Sequence, residues 1–268
     1  MHKIQVLSDI HLVPEGRRII GIDPVERVRL ALDHCARVHP DLDRILFLGD
    51  LAHHGAPEEY ARLRDLLADQ RVPVTYLLGN HDRREAFRAV FPQAPVDPAG
   101  FVQSVTELGR WRLIALDTLD GPPYGARNHA GRLCPARLDW LRRQLEAGRD
   151  RPTLLALHHP VAPTGFPAMD AYALRDPGRL LAILDDHPQV RHLLIGHIHR
   201  TISGSVRGHS YTVFKSTAHQ MPMDLVGDDE HASTREPGAY GLVLLGAEVV
   251  VHTEDFEIAQ SSAGRDDG

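Results

Sequence analysis

The sequence predicts an α/β fold with mixed sheets. The short apolar runs IQVL, ILFL, VTYLL, TLLAL and HLLI alternate with stretches of helical apolar spacing. Each run is followed at once by a polar cluster: Asp9-Ile10-His11, Gly49-Asp50, Gly79-Asn80-His81-Asp82, His158-His159 and Gly196-His197-Ile198-His199. Continuous apolar runs of this length fit strands buried on both faces of a parallel sheet, and open α/β sheets bind ligands where such strands end. After residue 200 the pattern becomes short β-rich segments separated by Gly, which predicts antiparallel strands closing the domain.

Strand one (3–8) leads through a Pro/Gly/Arg loop to a helix from Pro24 to Val38, where proline suits the first turn. Arg44 to Leu48 is the second strand. Pro57 to Gln70 carries Leu63, Leu66 and Leu67 at helical spacing and delivers the chain to a third strand ending at Leu78, completing βαβαβ. Arg83 to Val90 reads as a short helix; Phe101–Thr106 and Trp111–Asp117 flank Gly109 as a hairpin would. A helix (135–147), a strand (153–157), a helix (177–187) and a strand (192–195) follow. The closing β segments are 201–206, 210–216, 239–245 and 248–256. The polar, proline-containing 221–238 stretch is expected as a surface loop, and 259–268 as a disordered tail beyond a single domain of residues 1–258.

With 268 residues and 43% apolar composition, the chain can bury a full core. A net charge of −6 and a pI near 6.3 argue against a protein that coats nucleic acid or an anionic membrane. No apolar run has the length of a membrane span, so a cytoplasmic protein is expected. Cys35 and Cys134 have no ligand-like spacing and are expected as free thiols.

The polar clusters carry the chemistry. Asp9 and His11 lie two apart, so extended backbone would aim both side chains the same way. Asp50 follows a strand and a glycine, and both its oxygens can serve neighbouring cations. Asn80 and His81 offer an amide oxygen and an imidazole; His158, His197 and His199 add nitrogens. Hard oxygen and borderline nitrogen donors together suit two divalent transition metals better than calcium alone or thiolate-bound zinc. Neighbours on extended backbone point apart, so His159 is expected to serve structure rather than ligation. His53, His54, His129 and His219 read singly as surface histidines, with His53, His54 and His219 as candidate substrate contacts. Phe166, Met169 and Tyr172 are candidates for an apolar wall.

The ordered set D-x-H, G-D, G-N-H-D, H and G-H-x-H, spanning residues 9 to 199, resembles the calcineurin-like metallophosphoesterase superfamily. Within it, HHP at 158–160, GHIH and the IIGIDPVERV segment resemble the class III cyclic nucleotide phosphodiesterases and related bacterial glycerophosphodiesterases. The resemblance implies a four-layer αββα sandwich with a dinuclear site at the strand ends. It implies one metal on Asp9, His11, Asp50 and His199, and the other on Asp50, Asn80, His158 and His197, with Asp50 bridging. His81 is then an outer-sphere catalytic residue that orients the phosphate or protonates the leaving alkoxide, and Asp82 orients its loop.

The expected activity is hydrolysis of small phosphodiesters, 3′,5′-cyclic nucleotides such as cAMP or glycerophosphodiesters, by a hydroxide bridging the metals. Manganese, iron, zinc, cobalt and nickel all accept these donors. A phosphomonoesterase or nuclease of the same superfamily, or a non-catalytic metal-binding scaffold, are the alternatives, and nucleic acid and membrane partners are not expected. Similar proteins are often dimers or larger, so a homo-oligomer is an implied partner.

Overall fold

The structure, a computed structural model, describes residues 1–125 and 129–259. The first run of strands and helices is β1 (His2–Leu7), α1 (Pro24–Val38), β2 (Arg44–Leu48), α2 (Pro57–Leu66), β3 (Val74–Leu77) and α3 (Arg84–Val90). A hairpin of β4 (Ser104–Leu108) and β5 (Trp111–Leu116) precedes α4 (Pro135–Ala147), β6 (Thr153–Leu157), the single turn α5 (Pro167–Asp170), α6 (Pro177–Asp185) and β7 (Val190–Ile195). Then come β8 (Ile202–Val206), β9 (His209–Val213), β10 (Tyr240–Leu245), β11 (Val249–Glu254) and a last turn, α7 (Phe256–Ala259).

These strands form two mixed sheets, ordered β11-β10-β1-β2-β3 and β4-β5-β6-β7-β9-β8. In the first, β1, β2 and β3 are parallel while β10 runs antiparallel to both β1 and β11. In the second, β5, β6, β7 and β9 are parallel, flanked by antiparallel β4 and β8.

Side-chain alternation explains why the strand sequences are apolar throughout. Along β2, Leu46 and Leu48 enter the layer between the sheets, whereas Ile45 and Phe47 face the helices. Along β6, Leu154 and Ala156 meet them from the other sheet, and Leu155 and Leu157 face α4 and α6. Helix α1 returns Val25, Val28, Ala31, Leu32 and Cys35 to the first sheet on a 3.6-residue stripe. Its start is fixed by Asp23, whose carboxylate accepts from the Val25 amide at 3.0 Å, and by Pro24 at the first turn. The result is four layers, α-β-β-α, the expected sandwich. Each Leu or Ile fully buried in it contributes about 1.5–3 kcal/mol.

Some expectations are corrected. Helix α2 stops at Leu66 rather than Gln70, with residues 67–69 in a turn. Strand β9 pairs in parallel with β7, so the closing strands are not all antiparallel: local alternation encodes a strand but not its direction. The 221–238 stretch contains no helix or strand and is pinned at its base by reciprocal Gln220–Thr234 backbone bonds of 3.1 and 2.8 Å. Residue 259 ends α7, and 260–268 of the expected tail lie outside the described residues.

Candidate metal centre

Parallel strands carry every donor to one edge of the sandwich. The segments after β1, β2 and β3 supply Asp9, His11, Asp50 and Asn80, and those after β6 and β7 supply His158, His197 and His199. Six of the seven are buried and His199 is partly buried, and contacts of 3.1 to 3.6 Å link His11, His199, Asp9, Asp50, His158 and Asn80. Backbone bonds splice the loops: His11 N donates to Asp50 O at 2.8 Å, Asp9 N to Gly49 O at 3.2 Å, and Gly196 N to His158 O at 3.0 Å.

The donors do not converge through extended backbone, as i,i+2 spacing suggests. Among the described residues eight non-glycine positions have positive φ, and five are in this set: Asp9 (51°), His11 (44°), Asp50 (50°), His197 (76°) and His199 (55°). Each such residue costs of order 1–3 kcal/mol and persists only where its surroundings hold it. Here left-handed turns, locked by the spliced loops, aim the side chains. Glycines make room for them: a Cβ on Gly79 would lie 2.2 Å from Asp50 Oδ1 and 2.6 Å from His158 Cε1.

Two overlapping donor sets result. His11 Nε2 and His199 Nε2 stand 3.1 Å apart, with His11 Nε2 3.6 Å from Asp50 Oδ2 and His199 Nε2 3.6 Å from Asp9 Oδ1. On the other side His158 Nε2 lies 3.5 Å from the same Asp50 Oδ2 and 3.2 Å from Asn80 Oδ1. Ligand atoms about 2.1 Å from a common cation are separated by about 3.0–3.4 Å, so these edges fit cation binding after small adjustments. His197 Nε2 is buried with no hydrogen-bond partner among the described residues, an orphan that a cation would satisfy.

Outer contacts fix which atom each candidate donor presents. His158 Nδ1–H donates to Leu48 O at 2.9 Å and His199 Nδ1–H to His219 O at 2.9 Å, leaving the Nε2 lone pairs for the cluster. The His81 amide caps Asp50 Oδ1 at 2.9 Å, leaving Oδ2 at the junction of the two sets. The His197 amide bonds both Asp9 oxygens at 3.0 and 3.1 Å, and Ser8 Oγ–H bonds Oδ2. Asp82, fully buried, accepts from the amides of Gly79, Leu51 and Ala52 at 2.9, 3.2 and 3.1 Å and from the Tyr60 hydroxyl at 2.9 Å, tying two donor loops together.

The electrostatics favour cations. Burial holds His11 and His197 well below the usual imidazole range and His199 at about 4, so these rings are neutral and able to ligate. Burial raises Asp9 to about 7, with the Asp50 charge adding to it. Burial opposes ionisation of Asp50 too, but His158 and His81 outweigh it and hold the carboxyl well below its usual range.

His81 Nδ1–H donates to His53 O at 2.7 Å, which leaves Nε2 as the ring atom able to meet a substrate. His159 is fully buried between the Thr118 hydroxyl (Nδ1, 2.8 Å) and the His129 carbonyl (Nε2–H, 3.0 Å), the structural placement expected for it. His54 is exposed and bonds Glu59 at 2.8 Å. The surface reading fails for His53, His129 and His219, which line the same cavity, about 250 Å³ in volume, as the cluster. His129 Nδ1 accepts from Asn80 Nδ2 at 2.8 Å and so turns the Asn80 amide oxygen toward His158. Nothing local marks His129 for this, since it sits in an irregular segment far from any strand end. Met169 and Tyr172 line the cavity as expected, whereas Phe166 does not.

A family model described as calcineurin-like phosphoesterase matches residues 2–201. The chain is 41% identical over 256 residues to a Rhodopseudomonas palustris protein named probable cyclic nucleotide phosphodiesterase, covering 95% of this chain and 92% of that one. It is 34% identical over 196 residues to the 3′,5′-cyclic adenosine monophosphate phosphodiesterase CpdA of Pseudomonas aeruginosa, covering 72% and 68%. With the glycerophosphodiester phosphodiesterase GpdQ of Enterobacter lignolyticus it shares 31% identity over 222 residues, covering 81% and 77%. A dimetal phosphatase from Danio rerio has the same fold, with a TM-score of 0.71 at 13% identity over 94% and 95% of the two chains. A sandwich of this topology, its ordered motifs gathered at one edge and a family model spanning most of its length agree: the chain belongs to the calcineurin-like phosphoesterase family.

Proposed function

We propose that this chain is a metal-dependent phosphodiesterase acting on small diesters, 3′,5′-cyclic nucleotides such as cAMP or glycerophosphodiesters. In this reading Asp9, His11, Asp50 and His199 hold one divalent transition-metal ion, and Asp50, Asn80, His158 and His197 hold the other; manganese, iron, zinc and cobalt all suit the donors. The observation that carries it is the position of Asp50 Oδ2, 3.6 Å from His11 Nε2 and 3.5 Å from His158 Nε2, where it belongs to both sets. Relatives named for both substrate classes, matching most of the chain, support the activity.

When bound, such cations acidify a coordinated water and neutralise phosphoryl charge. The chain's own residues supply orientation. His81, anchored through Nδ1, points Nε2 at the scissile region, where it orients the phosphate and protonates the departing alkoxide. Asn80, steered by His129, sets its amide oxygen, and Asp50 keeps one oxygen occupied by the His81 amide. Among the described lining residues there is no Lys or Arg, which weighs against a nuclease.

The inter-sheet core shared by both sheets supports reading residues 1–258 as one domain. No helix among the described residues is long and apolar enough to cross a membrane, and Cys35 and Cys134 are unpaired, which supports a reducing, cytoplasmic setting.

The test is turnover of cAMP and of glycerophosphocholine, side by side, by chelator-stripped protein resupplied with each cation in turn. Hydrolysis of at least one is expected, and its loss in Asp50→Ala. Inertness toward both with every cation would overturn the reading.

A further inference from the structure

The lining of the cavity outside the donor set differs chemically from the donors. Met169, Met221, Ile198 and Ala232 are apolar, and among the lining residues outside the donor set there is one carboxylate, Glu230. The Tyr172 hydroxyl donates to Glu230 Oε2, joining the segment after β6 to the 221–238 loop. Tyr172 in turn meets the His129 ring edge-on at 5.4 Å, and His129 bonds Asn80. Three contacts in series thereby link Glu230 to Asn80.

A negative group lining a cavity that must accept an anionic phosphodiester works against binding unless another part of the substrate answers it. Tyr172 satisfies one oxygen. The other, Oε1, has His231 Nε2 at 3.5 Å, too long for a good hydrogen bond, and the His231 side chain is 85% exposed. A carboxylate has acceptor capacity for more than one donor.

We propose that Glu230, positioned by Tyr172, is the residue that selects the substituent of the diester, favouring one whose far end carries a nitrogen with N–H donors or positive charge. This rests on the phosphodiesterase reading above. The shared chemistry has two sources: the exocyclic amino group of an adenine ring, and the ammonium of an aminoalkyl glycerophosphodiester. The apolar wall suits the flat base or the methylene chain that would connect either to the phosphate.

Matched substrates separate the sources. Cyclic AMP against purine riboside 3′,5′-cyclic phosphate removes the amino group and adds no N–H donor; glycerophosphoethanolamine against glycerophosphoglycerol exchanges an ammonium for a hydroxyl. Bis(p-nitrophenyl) phosphate, which has neither, reports the basal chemistry. In the wild type, one of the two pairs is expected to show at least a tenfold preference in kcat/KM for the nitrogen-bearing member, mainly through KM. Glu230→Gln should reduce that preference to within about twofold of unity and Tyr172→Phe should weaken it, with the loss of kcat/KM falling on the nitrogen-bearing member of the pair. Calorimetric binding of 5′-AMP against purine riboside 5′-monophosphate gives an activity-free readout: a preference abolished by Glu230→Gln assigns the adenine source, and no preference assigns the ammonium source if that pair discriminates. Turnover of bis(p-nitrophenyl) phosphate with no preference in either pair, or a preference untouched by Glu230→Gln, overturns this proposal alone. Failure to cleave bis(p-nitrophenyl) phosphate and all four matched substrates overturns it together with the phosphodiesterase reading.

Discussion

Asp50 Oδ2 lies 3.5 Å from His158 Nε2, with both side chains withdrawn from solvent. Burial alone would lower the His158 pKa, but the Asp50 charge and hydrogen bond outweigh it and raise it to about 9 from 6.5. Before cations bind, the pair is an ion pair. Its folded-state pKa is raised, so its contribution to stability is complete below pH 6.5 and is lost as pH climbs through 9. Cation binding has the opposite slope, because His158 must give up its proton to ligate. Chelator-treated protein should therefore melt at lower temperature at pH 9 than at pH 7, while the rise in Tm on adding manganese or zinc should grow over that interval. Thermal melts at fixed ionic strength check both; a cation-induced shift that shrinks with pH would contradict the assignment.

His81 tests the proton donor. With Nδ1 tied to the His53 carbonyl, His81→Ala removes the free Nε2 without touching a proposed ligand. Metal content, measured by elemental analysis, should be unchanged, and kcat should fall about 10²-fold or more for a diester with an alkoxide leaving group. The loss should be much smaller for bis(p-nitrophenyl) phosphate, whose leaving group needs no proton. Equal losses on both substrates would assign His81 to phosphate orientation instead.

Much of this site is legible in the sequence because strand burial and polar punctuation coincide. Uninterrupted apolar runs announce parallel strands, and the polar side chains beyond Leu7, Leu48, Leu157 and Ile195 stand where such sheets bind ligands. What the sequence conceals lies where no period operates. The aiming of Asp9 and His11 comes from φ values of 51° and 44° held by tertiary hydrogen bonds, not from pleating. His129, Tyr172 and Glu230 reach the cavity from irregular segments whose path depends on what they pack against. The parallel placement of β9 beside β7 is likewise a property of the connection around the sheet, invisible in the strand itself.

Asp82 should rank among the most sensitive positions for stability. Asp82→Ala leaves the Gly79, Leu51 and Ala52 amides without their acceptor and frees the two loops that carry Asp50 and Asn80. Orphaning buried donors costs about 1–3 kcal/mol each, so a loss of about 3 kcal/mol or more is expected in urea titration, together with weakened cation binding. Tyr60→Phe removes one of the four bonds to Asp82 and the acceptor of the Arg83 amide at 2.8 Å, and about 1–2 kcal/mol is expected. Similar small losses for the two variants would show that the loops are held by their backbone splices instead.

Gly79→Ala separates room from ligation, because it changes no donor. Its new methyl would stand 2.6 Å from the Asp50 amide nitrogen as well as against the Asp50 carboxylate and the His158 ring, so one of them must move. Those groups define the junction of the two donor sets, and backbone on one side limits where the strain can go. The expected outcome is a folded protein, with circular dichroism like that of the wild type, whose cation affinity falls about tenfold or more and whose activity recovers in part at high cation concentration. A compensating Asp50→Ala change should not restore affinity, since it relieves the crowding only by deleting the shared oxygen. Wild-type affinity in Gly79→Ala would mean that the loop after β3 yields easily, and that the close approach of Gly79 to Asp50 is not what sets the spacing of the donors.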